Sequence, residues 1–295
     1  MSGPGRKASL HQLVYLLGPA LTIILLLFGG GLLLGLFQAL DVSSATGMKS
    51  ITFDHFRTVF TDPDFAGSIA LTLYISLTST LLAASISIVL ALAIAHWAAN
   101  NRIVNFILQI PLTVPHLVIA ISFLLLLSPG GIFSRFFSFF GMIPSPSAFP
   151  LLVNDDYGVS ILVVYVWKEI PFITFMLLSV LKNLGPELSE VGATLNGSRL
   201  QRFRYITLPI IGPSLGAACL IVFAFTFGAF EVPYLLGKTY PVSLPVWAYK
   251  NYSDIDLLAR PEGIAIGLII AATITVSITL SQVLIQFARK RGVII

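Results

Sequence analysis

The sequence is 295 residues long, 56% of them hydrophobic and only 10% charged, with a mean hydropathy of +0.93. Soluble domains carry about 25% charged residues, so this composition excludes an ordinary soluble protein and indicates a chain that lies in a membrane. The net charge of +4 does not indicate nucleic-acid binding, because the basic residues are spread between apolar segments and form no patch.

Six long apolar runs follow one another along the chain, and each exceeds the roughly 20 residues that cross a bilayer as a helix. They predict an all-α integral membrane fold with spans at about residues 13–39, 67–95, 103–128, 158–181, 210–236 and 263–287. The first run could instead be a cleaved signal peptide, since Arg6 and Lys7 precede it. Its length exceeds the usual apolar core of about 7–15 residues and no cleavage site follows cleanly, which favours a retained span.

The loops between these runs differ in charge on the two sides of the membrane. With the N-terminus in the cytoplasm, the cytoplasmic segments hold ten Lys and Arg residues and two acids, whereas the external loops hold six Lys and Arg residues and nine acids. Because Lys and Arg are enriched in cytoplasmic loops, both termini are predicted to be cytoplasmic. The even number of spans agrees with this orientation.

A cytoplasmic loop at residues 186–209, between the fourth and fifth predicted spans, is the most informative stretch. Pro186 suits the first turn of a helix, where its missing N–H costs nothing. An apolar stripe at helical spacing follows, formed by Leu188, Val191, Gly192 and Leu195. Such a stripe outside the lipid either docks into a groove of another protein or packs against the chain's own helix ends, and the pattern leaves both possibilities open.

A second short helix is predicted after the dipeptide Asn196-Gly197, because both residues tolerate left-handed backbone conformations and end the first helix. Ser198 and Gln201 are three residues apart and predict a capping box, in which each side chain bonds to the other residue's backbone N–H. The loop is therefore predicted to be two short helices with a turn between them.

This loop resembles the EAA loop of binding-protein-dependent ATP-binding-cassette (ABC) importer permeases, of the maltose and polyamine permease type. The matching positions are Glu190 at the start of the motif and Ile206, Leu208 and Pro209 at its Ile-x-Leu-Pro end. The chain differs at Val191 and Gly192, where two alanines are usual, and at Asn196, which stands at the usual glycine and is followed by Gly197. Asparagine also tolerates a left-handed turn, so the turn is expected to persist. The segment 60–76 resembles the family's entry into its second span, and the spacing of the spans fits from about residue 12 onward.

The resemblance implies the transmembrane domain of a type I ABC importer in the bacterial inner membrane, forming half of a translocation pathway of twelve spans. The implied partners are a second permease subunit, identical or different, two cytoplasmic ATPase subunits, and a periplasmic or lipid-anchored solute-binding protein. ATP and Mg²⁺ would be bound by the ATPase, with no catalytic residue, metal or cofactor in this chain. The implied ATPase-coupling residues are Leu188, Glu190, Val191, Gly192, Leu195, Asn196, Gly197, Ile206, Leu208 and Pro209.

Three charged residues, Lys168, Glu169 and Glu231, lie within predicted spans. A charge in the middle of a bilayer costs roughly 2.5–3.5 kcal/mol on insertion scales, so such residues face a cavity or a partner. Lys168 and Glu169 are neighbours and point about 100° apart on a helix, so they are not expected to pair with each other. One hypothesis makes the three residues part of a substrate pathway, with Glu231 attracting a cation. The other makes Glu231 half of an ion pair with Lys168 or across a subunit interface.

The substrate is less well indicated than the family. Residues 227–237 resemble the polyamine permease subgroup, which implies a substrate such as spermidine or putrescine, but Ala229 stands where an acid is expected. Related subgroups carry iron, sulfate, thiamine or phosphonate. The alternatives from other classes are a secondary carrier or channel without ATPases, which usually shows an internal repeat, and a membrane enzyme, which needs a catalytic or metal constellation. Neither mark is visible, with one cysteine and four scattered histidines.

Overall fold

The computed structural model describes residues 10–42, 51–97, 101–183 and 198–290, and all the regular elements in these ranges are helices. The first half of the chain contains α1 (Leu10–Ile24), α2 (Gly30–Ala39), α3 (Asp54–Thr61), α4 (Phe65–Trp97), α5 (Arg102–Thr113), α6 (His116–Leu127) and α7 (Ile132–Phe139). The second half contains α8 (Val159–Asn183), α9 (Arg199–Arg202), α10 (Leu208–Gly228), α11 (Glu231–Leu236), α12 (Leu244–Tyr252) and α13 (Arg260–Lys290). Two π-helical turns, Leu25–Gly29 and Phe203–Thr207, join α1 to α2 and α9 to α10.

Six helical segments of the described chain are long and apolar enough to cross a membrane, which confirms the predicted number of spans and the all-α class. These segments are Tyr15–Ala39, Phe65–Trp97, His116–Phe139, Val159–Lys182, Leu200–Gly228 and Leu257–Phe287. The orientation of the termini stays a prediction.

The third and fifth apolar runs of the sequence differ from the helices in the structure. Residues 103–128 do not form one helix, because α5 and α6 are separated at Val114 and Pro115, whose ψ angles of 129° and 144° are extended. Proline has no N–H and disfavours a helical conformation in the residue before it, so the helix ends here. Residues 210–236 are also divided, because α10 ends at Gly228 and Glu231 begins the separate helix α11.

The centre of the fold is formed by α4, α8 and α10, of which α4 and α8 make the most extensive contact. The buried face of α4 consists largely of small residues, namely Ser68, Thr72, Ser76, Ser79, Thr80, Ala83, Ala84, Ser87 and Ala91. Lipid supplies no hydrophobic force between helices, so small residues that let backbones approach are a common basis for helix packing in membranes. Ser87 Oγ adds a hydrogen bond of 3.0 Å to the Ile170 carbonyl of α8.

The segment between α11 and α12 is tied to the rest of the chain by polar contacts at its start. Lys238 Nζ lies 3.0 Å from Asp156 Oδ1, and the Tyr240 hydroxyl donates a hydrogen bond to Asp64, which raises the pKa of Tyr240. Beyond this segment, α12 packs along α13, and α13 also contacts α2 and α3. These contacts place the helices α2, α3 and α12 around the N-terminal part of α13, outside the α4–α8–α10 core.

Candidate functional site

A polar layer crosses the α4–α8–α10 core between two apolar clusters. Along α8, Tyr165 belongs to one cluster and Ile173 to the other, and Glu169 lies between them with only 6% of its surface exposed. Glu169 Oε1 accepts a hydrogen bond of 2.6 Å from Thr226 Oγ1 of α10 and one of 3.4 Å from Ser79 Oγ of α4. One carboxylate oxygen therefore joins the three central helices.

Lys168, the neighbour of Glu169 in the sequence, contacts a different part of the chain. Its side chain is 7% exposed, and its Nζ donates a hydrogen bond to the carbonyl of Val114, at the break between α5 and α6. Lys168 and Glu169 are therefore both surrounded by atoms of their own chain. These surroundings favour a structural role for Lys168 and Glu169 over direct contact with a substrate.

Glu231 is not part of the long helix of the fifth span, because that helix ends at Gly228 and Glu231 is the first residue of α11. Its side chain is half-buried. Among the described residues Glu231 forms no ion pair, so the hypothesised pair with Lys168 is absent from this part of the chain. Of the three charged residues predicted to lie in spans, Glu231 is the most exposed.

Aromatic rings and a histidine lie near the start of α11. The His116 ring, at the start of α6, lies 4.7 Å from the Phe225 ring of α10, and Phe225 is 48% exposed. The helix α6, which begins at His116, packs against α11, which begins at Glu231. One turn after Glu231 on α11, Tyr234 is 49% exposed and its ring lies 5.4 Å from that of Tyr249. We refer to His116, Phe225, Glu231 and Tyr234 together as the His116–Glu231 face.

Three members of this face, His116, Phe225 and Tyr234, were not singled out from the sequence. A lone histidine or aromatic residue in an apolar helix is more often part of a core, so its type alone gives little signal. The one local signal was Pro115, because a proline within a predicted span removes a helical hydrogen bond and is compatible with a break there.

The predicted coupling loop is described only in its second part. Leu188, Glu190, Val191, Gly192, Leu195, Asn196 and Gly197 lie outside the described residues. The capping box is confirmed, since the Ser198 N–H donates to Gln201 Oε1 at 2.8 Å and the Gln201 N–H donates to Ser198 Oγ at 3.3 Å.

The end of the loop continues into the fifth span without a break. Ile206 lies in the π-helical turn Phe203–Thr207, and Leu208 and Pro209 are the first residues of α10. Pro209 has no N–H to close the usual bond four residues back, and a π-helical turn next to it is one way to accommodate that loss. A movement of the loop would therefore reach α10 directly.

Comparison with known proteins identifies the family of the chain. Residues 85–291 match the family described as the binding-protein-dependent transport system inner membrane component. The inner membrane ABC transporter permease protein YdcU of Escherichia coli K12 is 26% identical over 234 residues, which are 75% of this chain and 74% of the relative. The trehalose/maltose permease MalF of Thermococcus litoralis is 26% identical over 286 residues, 91% of this chain and 92% of MalF. The sulfate permease CysT of Salmonella typhimurium is 23% identical over 245 residues, 82% and 85% of the two chains.

Solved structures show the same fold. A chain of a bacterial ABC transporter involved in the import of the acidic polysaccharide alginate superimposes with a TM-score of 0.74, at 23% identity, over 94% of this chain and 95% of its own length. The family match extends over well more than half of the sequence, from the middle of α4 to the end of α13. The chain, a multi-pass protein of the bacterial inner membrane, therefore belongs to the permease components of binding-protein-dependent ABC importers.

Proposed function

We propose that this chain forms half of the translocation pathway of an ATP-driven importer. A second permease subunit, identical or different, supplies the other half, and a solute-binding protein delivers substrate from outside. Two ATPase subunits bind the loop at residues 186–209, hold the ATP and Mg²⁺, and carry out the hydrolysis. The support for these partners is the family itself and the alginate transporter, whose structure has been solved in complex with its alginate pentasaccharide-bound periplasmic protein.

The proposed pathway surface of this subunit is the His116–Glu231 face. It lies where the chain is not helical, at Val114–Pro115 and at Ala229–Phe230. At membrane depth, irregular backbone is tolerated where it is buried in protein or lines a cavity that contains water. The half-buried Glu231 carboxylate favours a cavity, because a charged group that faces lipid is costly.

The substrate class that this face fits best is an organic cation, with a polyamine such as spermidine or putrescine as the leading candidate. A carboxylate replaces the hydration that an ammonium group loses, and aromatic rings attract cations to their faces. A negative carboxylate repels anions, so sulfate and molybdate, for which some relatives are named, fit this face less well. The single observation that carries the proposal is Glu231 at the break between α10 and α11, without an ion-pair partner in the described chain.

The test is uptake by the complete transporter in proteoliposomes, assembled from this chain and its partner permease, ATPase and solute-binding protein. Labelled spermidine and putrescine are compared with maltose, sulfate and molybdate, with and without ATP inside the vesicles. We expect ATP-dependent uptake of a polyamine only. Uptake of another solute in the panel would contradict the substrate class, and uptake without ATP would favour the alternative of a secondary carrier.

A further inference from the structure

The break between α5 and α6 leaves backbone groups without helical partners. The helix α5 ends at Thr113, Val114 and Pro115 are extended, and α6 begins at His116. The last carbonyl groups of any helix lack intrahelical donors, and the missing N–H of Pro115 removes one more. Each such carbonyl needs a hydrogen-bond donor, either from the protein or from water.

Lys168 supplies that donor. Its Nζ, on the neighbouring helix α8, donates to the carbonyl of Val114. The lysine is 93% buried, since its exposed fraction is 7%, and no acid of the described residues lies within 4.0 Å of it. A cation beside the C-terminal end of a helix is also stabilised by the helix dipole, which here belongs to α5. The ammonium group of Lys168 therefore forms its hydrogen bond with the backbone at the break and not with an acidic side chain.

The break that Lys168 holds determines where His116 lies. His116 is two residues after Val114, and its ring is packed 4.7 Å from the ring of Phe225. Ile119 and Ala120, within the next turn of α6, are buried, so they fix the rotation of that helix but not the path of the chain that enters it. The path of the backbone can still vary at Val114 and Pro115, and Lys168 restrains it by bonding to the Val114 carbonyl.

We propose that Lys168 is a positioning residue that keeps the α5–α6 break in place and thereby holds His116 against Phe225 on the His116–Glu231 face. Lys168 touches no substrate and acts through the Val114 carbonyl. The geometric part of this proposal concerns only the chain itself, whereas its consequence for transport rests on the proposed function. The two parts are therefore measured separately.

The geometric part is tested by disulfide formation between α6 and α10 in the assembled transporter. In a Cys219→Ser background, His116→Cys and Phe225→Cys are combined, and the rate of disulfide formation is followed by mass spectrometry of the linked peptides. We expect Lys168→Met to slow the reaction several-fold and Lys168→Arg, which keeps a cationic donor, to restore most of the rate. Lys182→Met, at the exposed end of the same helix, is the matched control and should react as the parent does.

If Lys168→Met does not insert stably, Lys168→Gln decides the question, because its neutral amide can still donate to the carbonyl and should give an intermediate rate. Equal rates in all assembled variants would overturn the proposal. For transport, Lys168→Met with native His116 and Phe225 should raise the substrate KM while the complex assembles normally, and an unchanged KM would overturn the functional consequence. A slowed disulfide reaction in a transporter that takes up no polyamine would contradict the substrate class alone.

Discussion

At the scale of single residues, Glu231 is where the proposed cation specificity is decided. Replacing it with Gln removes the negative charge but keeps the size, so we expect the KM for a polyamine to rise about tenfold, corresponding to about 1.4 kcal/mol. Glu231→Asp, which keeps the charge, should lose much less. Yield of the complex and uptake are measured in the same preparation. Full uptake by a well-assembled Glu231→Gln complex would show that the carboxylate simply faces water.

Glu169 gives a second prediction at this scale, concerning stability. Glu169→Leu leaves the buried Thr226 hydroxyl without its acceptor, whereas Glu169→Gln keeps an oxygen at the same place. Hydrogen bonds between membrane helices average about 0.6 kcal/mol, and an unsatisfied buried group adds about 1–3 kcal/mol. We therefore expect Glu169→Leu to destabilise the detergent-solubilised complex by about 1.5–3.5 kcal/mol and Glu169→Gln to cost little. The same loss for Glu169→Leu in a Thr226→Val background would contradict this coupling.

The sequence predicted that Lys168, Glu169 and Glu231 need partners, but it could not say which. The cost of a charge in a membrane follows from residue type, and the separate directions of Lys168 and Glu169 follow from helix geometry. The sequence does not identify their partners, because Lys168 bonds to a backbone carbonyl and Glu169 to two hydroxyls, all distant from them in the sequence. Backbone carbonyls and hydroxyl side chains occur throughout every sequence, so the sequence does not indicate which of them a buried charge will contact.

At the scale of elements, the coupling loop is predicted to pass motion between the ATPases and α10. Glu190→Lys or Gly197→Val should uncouple transport from ATP hydrolysis while membrane insertion is retained, because the first reverses a charge of the motif and the second places a β-branched residue at the expected turn. Uptake and ATP hydrolysis are measured in proteoliposomes. Glu187→Lys is the matched control, as it reverses a charge in the same loop outside the motif. Normal uptake by a variant carrying both Glu190→Lys and Gly197→Val would rule out this loop as the coupling element.

A helix end could be predicted where a capping pattern marks it, but not where it interrupts a long apolar run. The capping box of Ser198 and Gln201 is a local pattern, and the structure contains it. The divisions of the third and fifth runs were missed, because hydropathy averages over a whole span and hides an extended pair such as Val114 and Pro115. A proline can also lie inside an unbroken helix, as Pro171 does in α8, so the residue type alone does not mark a break.

At the scale of the whole molecule, most of the architecture follows from composition. Apolar runs of sufficient length can cross a bilayer only as helices, so six runs give six helical spans. The arrangement of those spans is not contained in their hydropathy, since lipid solvates any apolar face equally well. The small residues of α4 let it pack at the centre of the fold. The segment Tyr15–Ala39 lies on the outside, since none of its most apolar part is buried.

Orientation is the last prediction, and it depends on the unequal numbers of Lys and Arg on the two sides. Ser253 and Ser198 are both exposed, and the six-span order places them on opposite sides of the membrane. With the N-terminus in the cytoplasm, Ser253 is outside and Ser198 is in the cytoplasm. In a Cys219→Ser background, Ser253→Cys should react with a membrane-impermeant thiol reagent in intact cells, whereas Ser198→Cys should react only after permeabilisation. Both should label equally in permeabilised membranes, which controls for reactivity. Labelling of Ser198→Cys in intact cells would overturn the orientation, and with it the position of the coupling loop on the side where ATP is available.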